Sequence, residues 1–226
     1  MKKLVIIPAR GGSKGIPKKN LHELAGKPLI TWSIEAALNS KLLDAIVVSS
    51  DNKEILEFSK QYEKLTCIDR LDDLAKDVSP IEPVIRYVLD ELSADDIYEY
   101  LVLLQPTSPL RTNNDIDDAI RTIKDSDATS LISVIQPVLH PLKSFVKDEK
   151  GYVKGWVNIQ FPSMPQQELP ETYQPNVAIC IVEVREFLKN NIFFTDKTIA
   201  YIMSSNKSID VDSLDDVKKI ENQLKT

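Results

Sequence analysis

The stretch Leu4-Val5-Ile6-Ile7-Pro8-Ala9-Arg10-Gly11-Gly12-Ser13-Lys14-Gly15 joins a short apolar run to a loop rich in glycine and basic residues. Residues 4–7 are uninterrupted by polar side chains, which is typical of a strand buried on both faces of a parallel sheet. Three of the six glycines of the chain lie in the loop that follows. Because glycine lets backbone N–H groups approach an oxyanion, this order of strand and loop predicts a phosphate-binding site.

The distribution of charge supports this prediction. Residues 1–20 contain six Lys or Arg residues and no acidic residue, although the whole chain has a net charge of −6. Arg10, Lys14 and Lys19 would add charge-assisted hydrogen-bond donors for phosphate. The loop contains neither the GxxxxGK[ST] pattern nor the GxGxxG pattern, so it is not a P-loop or a dinucleotide-binding loop. The alternative interpretation is an exposed basic turn without a ligand.

The composition excludes several classes of protein. With 226 residues, of which 42% are hydrophobic, the chain can form a core, so intrinsic disorder is excluded. Cys67 and Cys180 are too few for a disulfide scaffold and lack metal-ligand spacing, which predicts a reduced, cytoplasmic protein. No apolar run approaches about 20 residues, so no membrane span is expected. The acidic net charge argues against a nucleic-acid partner.

Predicted strands and helices alternate along the chain. Strands are expected at residues 4–7, 45–48, 65–68, 100–104, 131–138, 177–184 and 199–203, and helices at residues 31–38, 54–58, 79–92, 115–123 and 214–224. We expect Ser79 to cap the third helix, with Glu82 completing a capping box. This order is typical of an α/β fold with a mostly parallel sheet, in which ligands bind at the carboxyl ends of the strands. Residues 8–20, 49–51 and 105–111 lie at those ends.

Residues 137–175 interrupt this alternation. They contain six of the 13 prolines, show little helical periodicity and include a predicted hairpin strand at residues 152–157. We interpret them as an insertion into a single domain of residues 1–226 that serves as a lid or a subunit contact, because loops this long are usually functional or disordered. The alternative is an ordinary surface loop.

Two later motifs carry polar groups suited to a nucleotide or a sugar. The segment Gln105-Pro106-Thr107-Ser108-Pro109-Leu110-Arg111 offers amide, hydroxyl and guanidinium groups after a predicted strand, although a plain loop has a similar composition. Asp210 and Asp212 are one residue apart, so on an extended segment they point to the same side. Two carboxylates at this spacing can hold Mg²⁺ that also binds phosphate, but acidic residues near a helix start produce the same pattern.

Together, the first loop, the 105–111 motif and Ile209-Asp210-Val211-Asp212 resemble the acylneuraminate cytidylyltransferases, that is, the CMP-sialic acid synthetases and their relatives acting on legionaminate and pseudaminate. The resemblance covers nearly the whole chain in order and includes His140-Pro141-Leu142-Lys143, Gln167-Glu168-Leu169-Pro170 and Pro175-Asn176. It implies a Rossmann-like nucleotidyltransferase fold, a homodimer formed through the insertion at 137–175, and Mg²⁺ as cofactor. The implied reaction transfers CMP from CTP to the anomeric hydroxyl of a sialic-acid-like nonulosonic acid.

The resemblance also implies roles for individual residues. The implied catalytic residues are Arg10, Lys19, Asp210 and Asp212, and the two aspartates would also bind the metal. CTP would be bound by Arg10, Gly11, Gly12, Ser13, Lys14, Lys19, Asn20, Arg70 and Ser79. The acyl sugar would be bound by Gln105, Thr107, Ser108, Lys143, Gln166 and Gln174. Lys143 would reach the site from the insertion, either in its own chain or in the partner subunit.

The chain departs from the family pattern mainly on the sugar side. Gln166 and Gln174 stand where arginine is typical, and Val177 stands where glycine is common. Near the cytosine site, Pro80-Ile81 replaces a serine pair.

Two other functions stay open on the sequence alone. The Asp-x-Asp pattern of residues 210–212 also fits a glycosyltransferase that uses a nucleotide sugar, although a diphosphate sugar needs fewer cations than the first loop provides. The other is a non-catalytic nucleotide-binding module, against which the complete set of cations and carboxylates argues.

Overall fold

The central element of the computed structural model is a seven-stranded sheet, and the structure describes residues 2–13, 15–74, 80–94 and 97–225. In chain order the strands are β1 (Lys3–Pro8), β2 (Glu23–Leu24), β3 (Lys27–Pro28), β4 (Ala45–Ser50), β5 (Leu65–Asp69), β6 (Tyr100–Leu103), β7 (Ser130–Ile135), β8 (Phe145–Lys147), β9 (Val153–Gly155), β10 (Gln174–Glu183) and β11 (Thr198–Ile202). The helices are α1 (Leu29–Asn39), α2 (Lys53–Ser59), α3 (Ile81–Leu92), α4 (Asn113–Lys124), α5 (Val184–Asn190) and α6 (Leu214–Leu224).

The order of strands across the sheet is β5-β4-β1-β6-β10-β7-β11. Strand β10 runs antiparallel to both of its neighbours, whereas β1, β4, β5 and β6 pair in parallel, as do β7 and β11. The prediction of an α/β fold with a mostly parallel sheet is therefore confirmed. Because β1, β4 and β6 are adjacent and parallel, the loops after them open at the same edge of the sheet.

Alternate residues of β1 enter two different apolar cores. Val5 and Ile7 pack in a cluster with buried residues of α1 and α4, whereas Leu4 and Ile6 pack in a cluster with buried residues of α3 and α5. Successive side chains of a strand point to opposite faces, so helices on both faces explain why residues 4–7 are uniformly apolar.

A third, smaller cluster lies outside these two cores. It joins residues of the first loop, the hairpin β2–β3, α1 and the last helix, namely Ile16, Leu24, Leu29, Val211, Val217 and Ile220. This cluster brings the two ends of the chain together beside the carboxyl edge of the sheet.

The structure corrects several predicted boundaries. The strand predicted at 131–138 ends at Ile135, because Pro137 cannot donate a ladder hydrogen bond, and Val138 is 92% exposed. The helix predicted from residue 79 begins at Ile81 with Pro80 as its N-cap, so the predicted capping box of Ser79 and Glu82 is wrong. Ser79 itself lies outside the described residues. The extended ψ of Pro80, 157°, keeps that residue out of the helix.

The fourth helix has the capping box that we did not predict. It begins at Asn113, two residues before the predicted start, and the hydroxyl of Thr112 accepts a hydrogen bond from the Asp115 N–H. The Asp115 carboxylate in turn accepts from the Thr112 N–H at 2.8 Å. Two backbone donors are thereby satisfied reciprocally at the start of α4.

The insertion leaves the main sheet, as predicted. Strands β8 and β9 pair antiparallel as a separate two-stranded sheet, which confirms the predicted hairpin. The segment exposes many large apolar side chains, namely those of Val138, Leu139, Phe145, Tyr152, Val153, Trp156, Val157 and Ile159. Its role as a subunit contact stays a prediction. Within the described ranges, no helix is both long enough and apolar enough to cross a membrane.

Candidate active site

A cavity of about 670 Å³ opens at the carboxyl edge of the sheet. Its wall includes residues from the first loop, from the loops after β5 and β6, from the start of β10 and from the segment before α6. Of the residues proposed from sequence, those that line it are Arg10, Gly12, Ser13, Lys19, Asn20, Arg70, Gln105, Thr107, Gln174, Asp210 and Asp212. The structure thus brings most of the predicted site residues to one place.

The first loop is held against the end of β4 by its own backbone. The Ala9 N–H donates to the Ser49 carbonyl at 2.9 Å, and the Gly11 N–H donates to Asp51 Oδ1 at 3.0 Å. Asn20 closes the loop from its other end, because its Nδ2 donates to the Arg10 carbonyl at 2.8 Å. Gly11 therefore directs its N–H at Asp51 and does not line the cavity, unlike Gly12 and Ser13.

The loop also packs directly on the aspartate segment. A Cβ on Gly15 would lie 2.3 Å from the Asp212 carbonyl oxygen, so only glycine permits this approach. Next to this contact, Ile16 and Val211 are both buried in the third apolar cluster. The ammonium of Lys19 donates to the Val211 carbonyl at 2.8 Å and to Asp212 Oδ1 at 2.9 Å. Lys14, a further predicted phosphate ligand, lies outside the described residues.

Asp210 is an exposed residue that lines the cavity. Even so, the protein atoms around it partly desolvate its carboxylate, and this desolvation is the main effect that raises the pKa of Asp210 above its usual value. The negative charges of Asp212 and Asp216 raise this pKa further, whereas a hydrogen bond from Thr107 and the charge of Lys19 lower it. The charge of Asp212 thus disfavours ionisation of Asp210.

The start of α6 orients Asp212. The Asp216 carboxylate accepts hydrogen bonds from the N–H of Ser213 at 3.0 Å and from its hydroxyl at 2.7 Å, and more weakly from the Asp212 N–H at 3.4 Å. The Ser213 hydroxyl bond is the main reason that the pKa of Asp216 falls to about 2. This capping box explains Asp216, and Asp215 pairs with Lys218 in the first turn of the same helix, which leaves Asp210 and Asp212 available for another role.

Arg70 places a buried guanidinium beside Arg10. Its Nη2 donates to the Ser49 carbonyl at 2.7 Å. Burial lowers the pKa of Arg70, and the positive charge of Arg10 lowers it further, while Asp51 opposes both effects. Arg10 and Arg70 both line the cavity, and two guanidinium groups at its wall favour an anionic ligand there.

The loop after β6 is held by a buried arginine whose role we did not predict. Arg111 Nη1 donates to the Gln105 carbonyl at 3.2 Å and to the Ala178 carbonyl at 2.8 Å, and Nη2 donates to Ser33 Oγ at 2.6 Å. Burial lowers the pKa of Arg111 to about 9. Arg111 thereby ties Gln105, which lines the cavity, to β10 and α1. Ser108 is buried and does not line the cavity.

Asn176 is a cavity residue to which sequence reasoning assigned no role. Its Oδ1 accepts from Ser133 Oγ at 2.5 Å, and its Nδ2 donates to Ser208 Oγ at 2.7 Å. Asn176 and Ser208 both line the cavity. The sequence signals were the family resemblance, which includes Pro175-Asn176 without a role for either residue, and Pro175, which marks an irregular strand.

Lys143 and Gln166 do not line this cavity within one chain. Lys143 ends a short helical turn, Pro141–Lys143, in the insertion. Gln166 lines a separate cavity of about 280 Å³, together with His140 and Glu171. Neither residue is among those that line the cavity at the sheet edge, and their predicted contact with the sugar stays a prediction.

No group of three or more His, Cys, Asp or Glu side chains suited to a metal ion occurs in the part of the chain that the structure describes. Any metal ion at Asp210 and Asp212 would therefore need water or substrate oxygens to complete its coordination.

The sheet order and the loops at its carboxyl edge define a Rossmann-like α/β fold. Two solved structures share this fold over the whole of this chain. The CTP complex of CMP:2-keto-3-deoxy-manno-octonic acid synthetase has a TM-score of 0.70 at 14% identity, and the match covers 99% of that chain. The 4-diphosphocytidyl-2C-methyl-D-erythritol synthase of Anaerococcus prevotii has a TM-score of 0.66 at 13% identity and is 96% covered.

A family model described as cytidylyltransferase matches residues 4–212, and the chain belongs to this family. The N-acylneuraminate cytidylyltransferase of Streptococcus agalactiae is 35% identical over 96% of this chain and 52% of its own length. The pseudaminic acid cytidylyltransferase of Campylobacter jejuni is 30% identical over 96% and 94% of the two chains. The CMP-N,N'-diacetyllegionaminic acid synthase of Legionella pneumophila is 35% identical over 94% of this chain and 92% of its own length.

These comparisons confirm the family resemblance found in the sequence. The chain spans about half the length of the N-acylneuraminate relative and nearly all of the other two. Membership of this family favours the cytidylyltransferase interpretation over the glycosyltransferase and the non-catalytic module.

Proposed function

We propose that this chain transfers CMP from CTP to the anomeric hydroxyl of a nonulosonic acid and releases pyrophosphate. The observation that carries the proposal is a single cavity that joins a basic glycine-rich loop, two carboxylates and a polar wall that includes Gln105 and Thr107. A volume of about 670 Å³ is in the range of pockets that hold nucleotide-sized ligands. The three relatives named above are described as enzymes of this reaction class.

In the proposed reaction, the anomeric oxygen of the sugar forms a bond to the α-phosphorus of CTP. The bond from the α-phosphorus to the oxygen that bridges to the β-phosphorus breaks, pyrophosphate leaves with the electron pair, and the hydroxyl proton is released. Such transfers depend on positioning and on stabilisation of charge rather than on covalent catalysis. Arg10 and Lys19 stabilise the leaving pyrophosphate, and Arg70 and Asn20 hold the nucleotide.

Mg²⁺ is part of this proposal. Asp210 and Asp212 offer hard carboxylate oxygens in one wall of the cavity, and the repulsion between their charges favours a cation beside them. When bound there, Mg²⁺ would neutralise phosphate charge and polarise the reacting phosphoryl group. Lys19 already offsets part of the charge of Asp212, so the loop cation and the metal would act on the same phosphates.

A homodimer formed through the insertion is a further part of the proposal. Eight exposed apolar side chains between residues 138 and 159 form a concentration of apolar surface that soluble proteins usually cover. Three of the eight are aromatic, as is common in subunit interfaces. A partner subunit would also account for Lys143 and Gln166, which do not line the cavity of their own chain.

A cytoplasmic location is proposed as well. Cys67 and Cys180 are both free thiols, and Cys180 is buried in β10. Free thiols are typical of a reducing compartment.

The reaction is tested by incubating the protein with CTP, Mg²⁺ and each of a panel of acids: sialic, legionaminic, pseudaminic and octulosonic. We expect release of pyrophosphate and formation of a CMP-sugar with at least one nonulosonic acid. A parallel incubation replaces CTP with a nucleotide sugar. Release of a free nucleoside diphosphate there, with no product from CTP, would instead identify a glycosyltransferase. Tight binding of CTP without turnover of any acid would identify a non-catalytic module.

The three relatives act on different sugars at similar identity, so they do not select among the acids. Gln174 lines the cavity where the family resemblance places arginine. Because glutamine can donate hydrogen bonds without charge, we propose that this chain uses N-acetylneuraminate poorly and prefers a nonulosonate with additional acylamino groups. A preference for N-acetylneuraminate in the panel would overturn this part of the proposal.

A further inference from the structure

Val177 has a backbone conformation that its side chain disfavours. Its φ is +53°, in the left-handed region where a β-branched residue is a clear outlier. Other described non-glycine residues with positive φ occupy turns or helix ends, for example Ala25 between β2 and β3, and Ser93 and Asn191 at the ends of α3 and α5. Val177, in contrast, lies inside strand β10.

The surrounding hydrogen bonds hold this conformation in place. The pairing of β10 with β7 changes register between Pro175 and Cys180. Asn176 fixes the irregular segment, because its Oδ1 accepts from Ser133 Oγ at 2.5 Å and from the Ala178 N–H at 3.3 Å. Ser133 Oγ in turn accepts from the Ile179 N–H at 2.8 Å.

The backbone path alone does not explain why the residue is valine. Glycine adopts positive φ without steric cost, and asparagine adopts it more readily than any β-branched residue. Either would form the same irregular strand with less strain. The branched side chain must therefore contribute something that offsets the strain, and strained residues are concentrated at ligand sites.

The side chain of Val177 lies at the wall of the cavity. The residue is 36% exposed and lines the cavity beside Asn176. Two apolar neighbours from the same two strands, Ile135 and Pro175, also line it. We call these three apolar lining residues the apolar strip; the polar residues Gln174, Asn176 and Ser208 line the same cavity.

We infer that Val177 is a specificity-determining residue that contacts an apolar substituent of the acceptor sugar acid, namely a methyl group of an acyl chain or of a deoxy carbon. This inference rests on the proposed function. A hydroxyl in the same position would lose hydration against the apolar strip without gaining a hydrogen bond, so the acceptor with the methyl group is selected.

The test uses Val177→Thr, which keeps the volume and β-branching but replaces a methyl group with a hydroxyl, and Val177→Gly, which removes the side chain. The control is Ile202→Thr on the edge strand β11, at a residue that does not line the cavity. The measured quantity is kcat/KM for two matched pairs of acceptors. One pair is N-acetylneuraminate and N-glycolylneuraminate, and the other is N-acetylneuraminate and its 9-deoxy analogue.

We expect the wild type to prefer the methyl-bearing member of at least one pair by about tenfold or more, the usual effect of one apolar group in a pocket. Val177→Thr and Val177→Gly should bring this ratio near one, and Ile202→Thr should leave it unchanged. Turnover of the acceptors with the same ratios in all four proteins would overturn the inference and leave the proposed function intact. Turnover of legionaminic or pseudaminic acid but of none of these acceptors would overturn the inference alone, because the methyl-bearing acceptors are then not selected. Absence of turnover with these acceptors and with every acid of the earlier panel would overturn both.

Discussion

The ammonium of Lys19 lies 2.9 Å from Asp212 Oδ1, although 193 residues separate them in the chain. Lys19 also donates to the Val211 carbonyl, so one side chain joins the basic loop to the aspartate segment. The Lys19 side chain is 14% exposed and the Asp212 side chain 79% exposed, which leaves the carboxylate open to the cavity. A cation and an anion thus meet at the place where a triphosphate and a metal ion are proposed to bind.

Lys19→Gln should lower kcat at least about a hundredfold, because it removes a positioned charge from the proposed phosphate site. Lys18→Gln is the matched control, since Lys18 pairs with the exposed carboxylate of Glu54 and does not line the cavity. Steady-state kinetics with CTP and the best acceptor provide the measurement. Equal activity of the two variants would exclude a role for Lys19 in catalysis.

Asp212→Asn should lower kcat at least about a hundredfold and raise the Mg²⁺ concentration needed for half-maximal rate. The control is Asp215→Asn, because Asp215 lies in the exposed first turn of α6. A magnesium titration of the initial rate measures the loss of a metal ligand. Circular dichroism of the same variant shows whether the fold is kept. Normal turnover of Asp212→Asn at ordinary Mg²⁺ would contradict the metal role.

Gly15→Ala should lower both stability and activity, because the new Cβ would lie 2.3 Å from the Asp212 carbonyl oxygen and the two segments must separate. The expected cost is roughly 1–3 kcal/mol of unfolding free energy. Gly12→Ala is the control, since among the described residues no atom beyond its two chain neighbours lies within 4 Å of a Cβ there. Thermal unfolding and kcat are measured for both variants, and similar stability of the two would contradict the close approach.

At residue 177, glycine should be more stable than alanine by about 1 kcal/mol, because the backbone φ is +53°. In an ordinary strand, alanine is more stable than glycine. Ala178→Gly, on the same strand, is the control and should therefore lower stability. Unfolding in urea of Val177→Gly, Val177→Ala and Ala178→Gly gives the comparison. If Val177→Ala is the more stable of the two variants at 177, the left-handed conformation is not present in solution.

Trp156→Glu should convert the proposed dimer to a monomer, because it places a charge in the exposed apolar surface of the insertion. Ile192→Glu, at an exposed apolar residue outside the insertion, should leave the dimer intact. Light scattering at micromolar protein concentration measures the mass of each variant. A monomeric wild type, or a dimeric Trp156→Glu, would rule out this interface.

Local patterns in the sequence predicted the seven strands of the central sheet and five of the helices, but not α5 or the short strands β2, β3 and β8. The apolar run at 4–7 predicted β1, and the same reasoning located the other predicted elements within a few residues of their observed bounds. Two of the boundary errors lie beside a proline. Pro80 is the N-cap of α3 with an extended ψ of 157°, and Pro137 follows the end of β7, where it has no N–H to donate to the ladder.

The motifs of the site could also be found in the sequence, since glycines, cations and paired carboxylates are visible as residue types. Their roles came from resemblance to a family, and most of those residues line one cavity. The sequence did not show that the Gly11 N–H would be directed at Asp51, or that Lys143 and Gln166 would lie away from that cavity.

By itself, then, the sequence determined the α/β order of elements and the segments that carry the chemistry, because both depend on residues close together in the chain. Only the tertiary structure decided which of those segments meet. Lys19 reaches Asp212 because Ile16, Val211 and the last helix bury a common apolar cluster, and Gly15 permits the close approach. Val177 has a left-handed backbone because hydrogen bonds from β7 to Asn176 and Ile179 hold an irregular strand. Contacts of this kind depend on packing between distant parts of the chain, which no local pattern records.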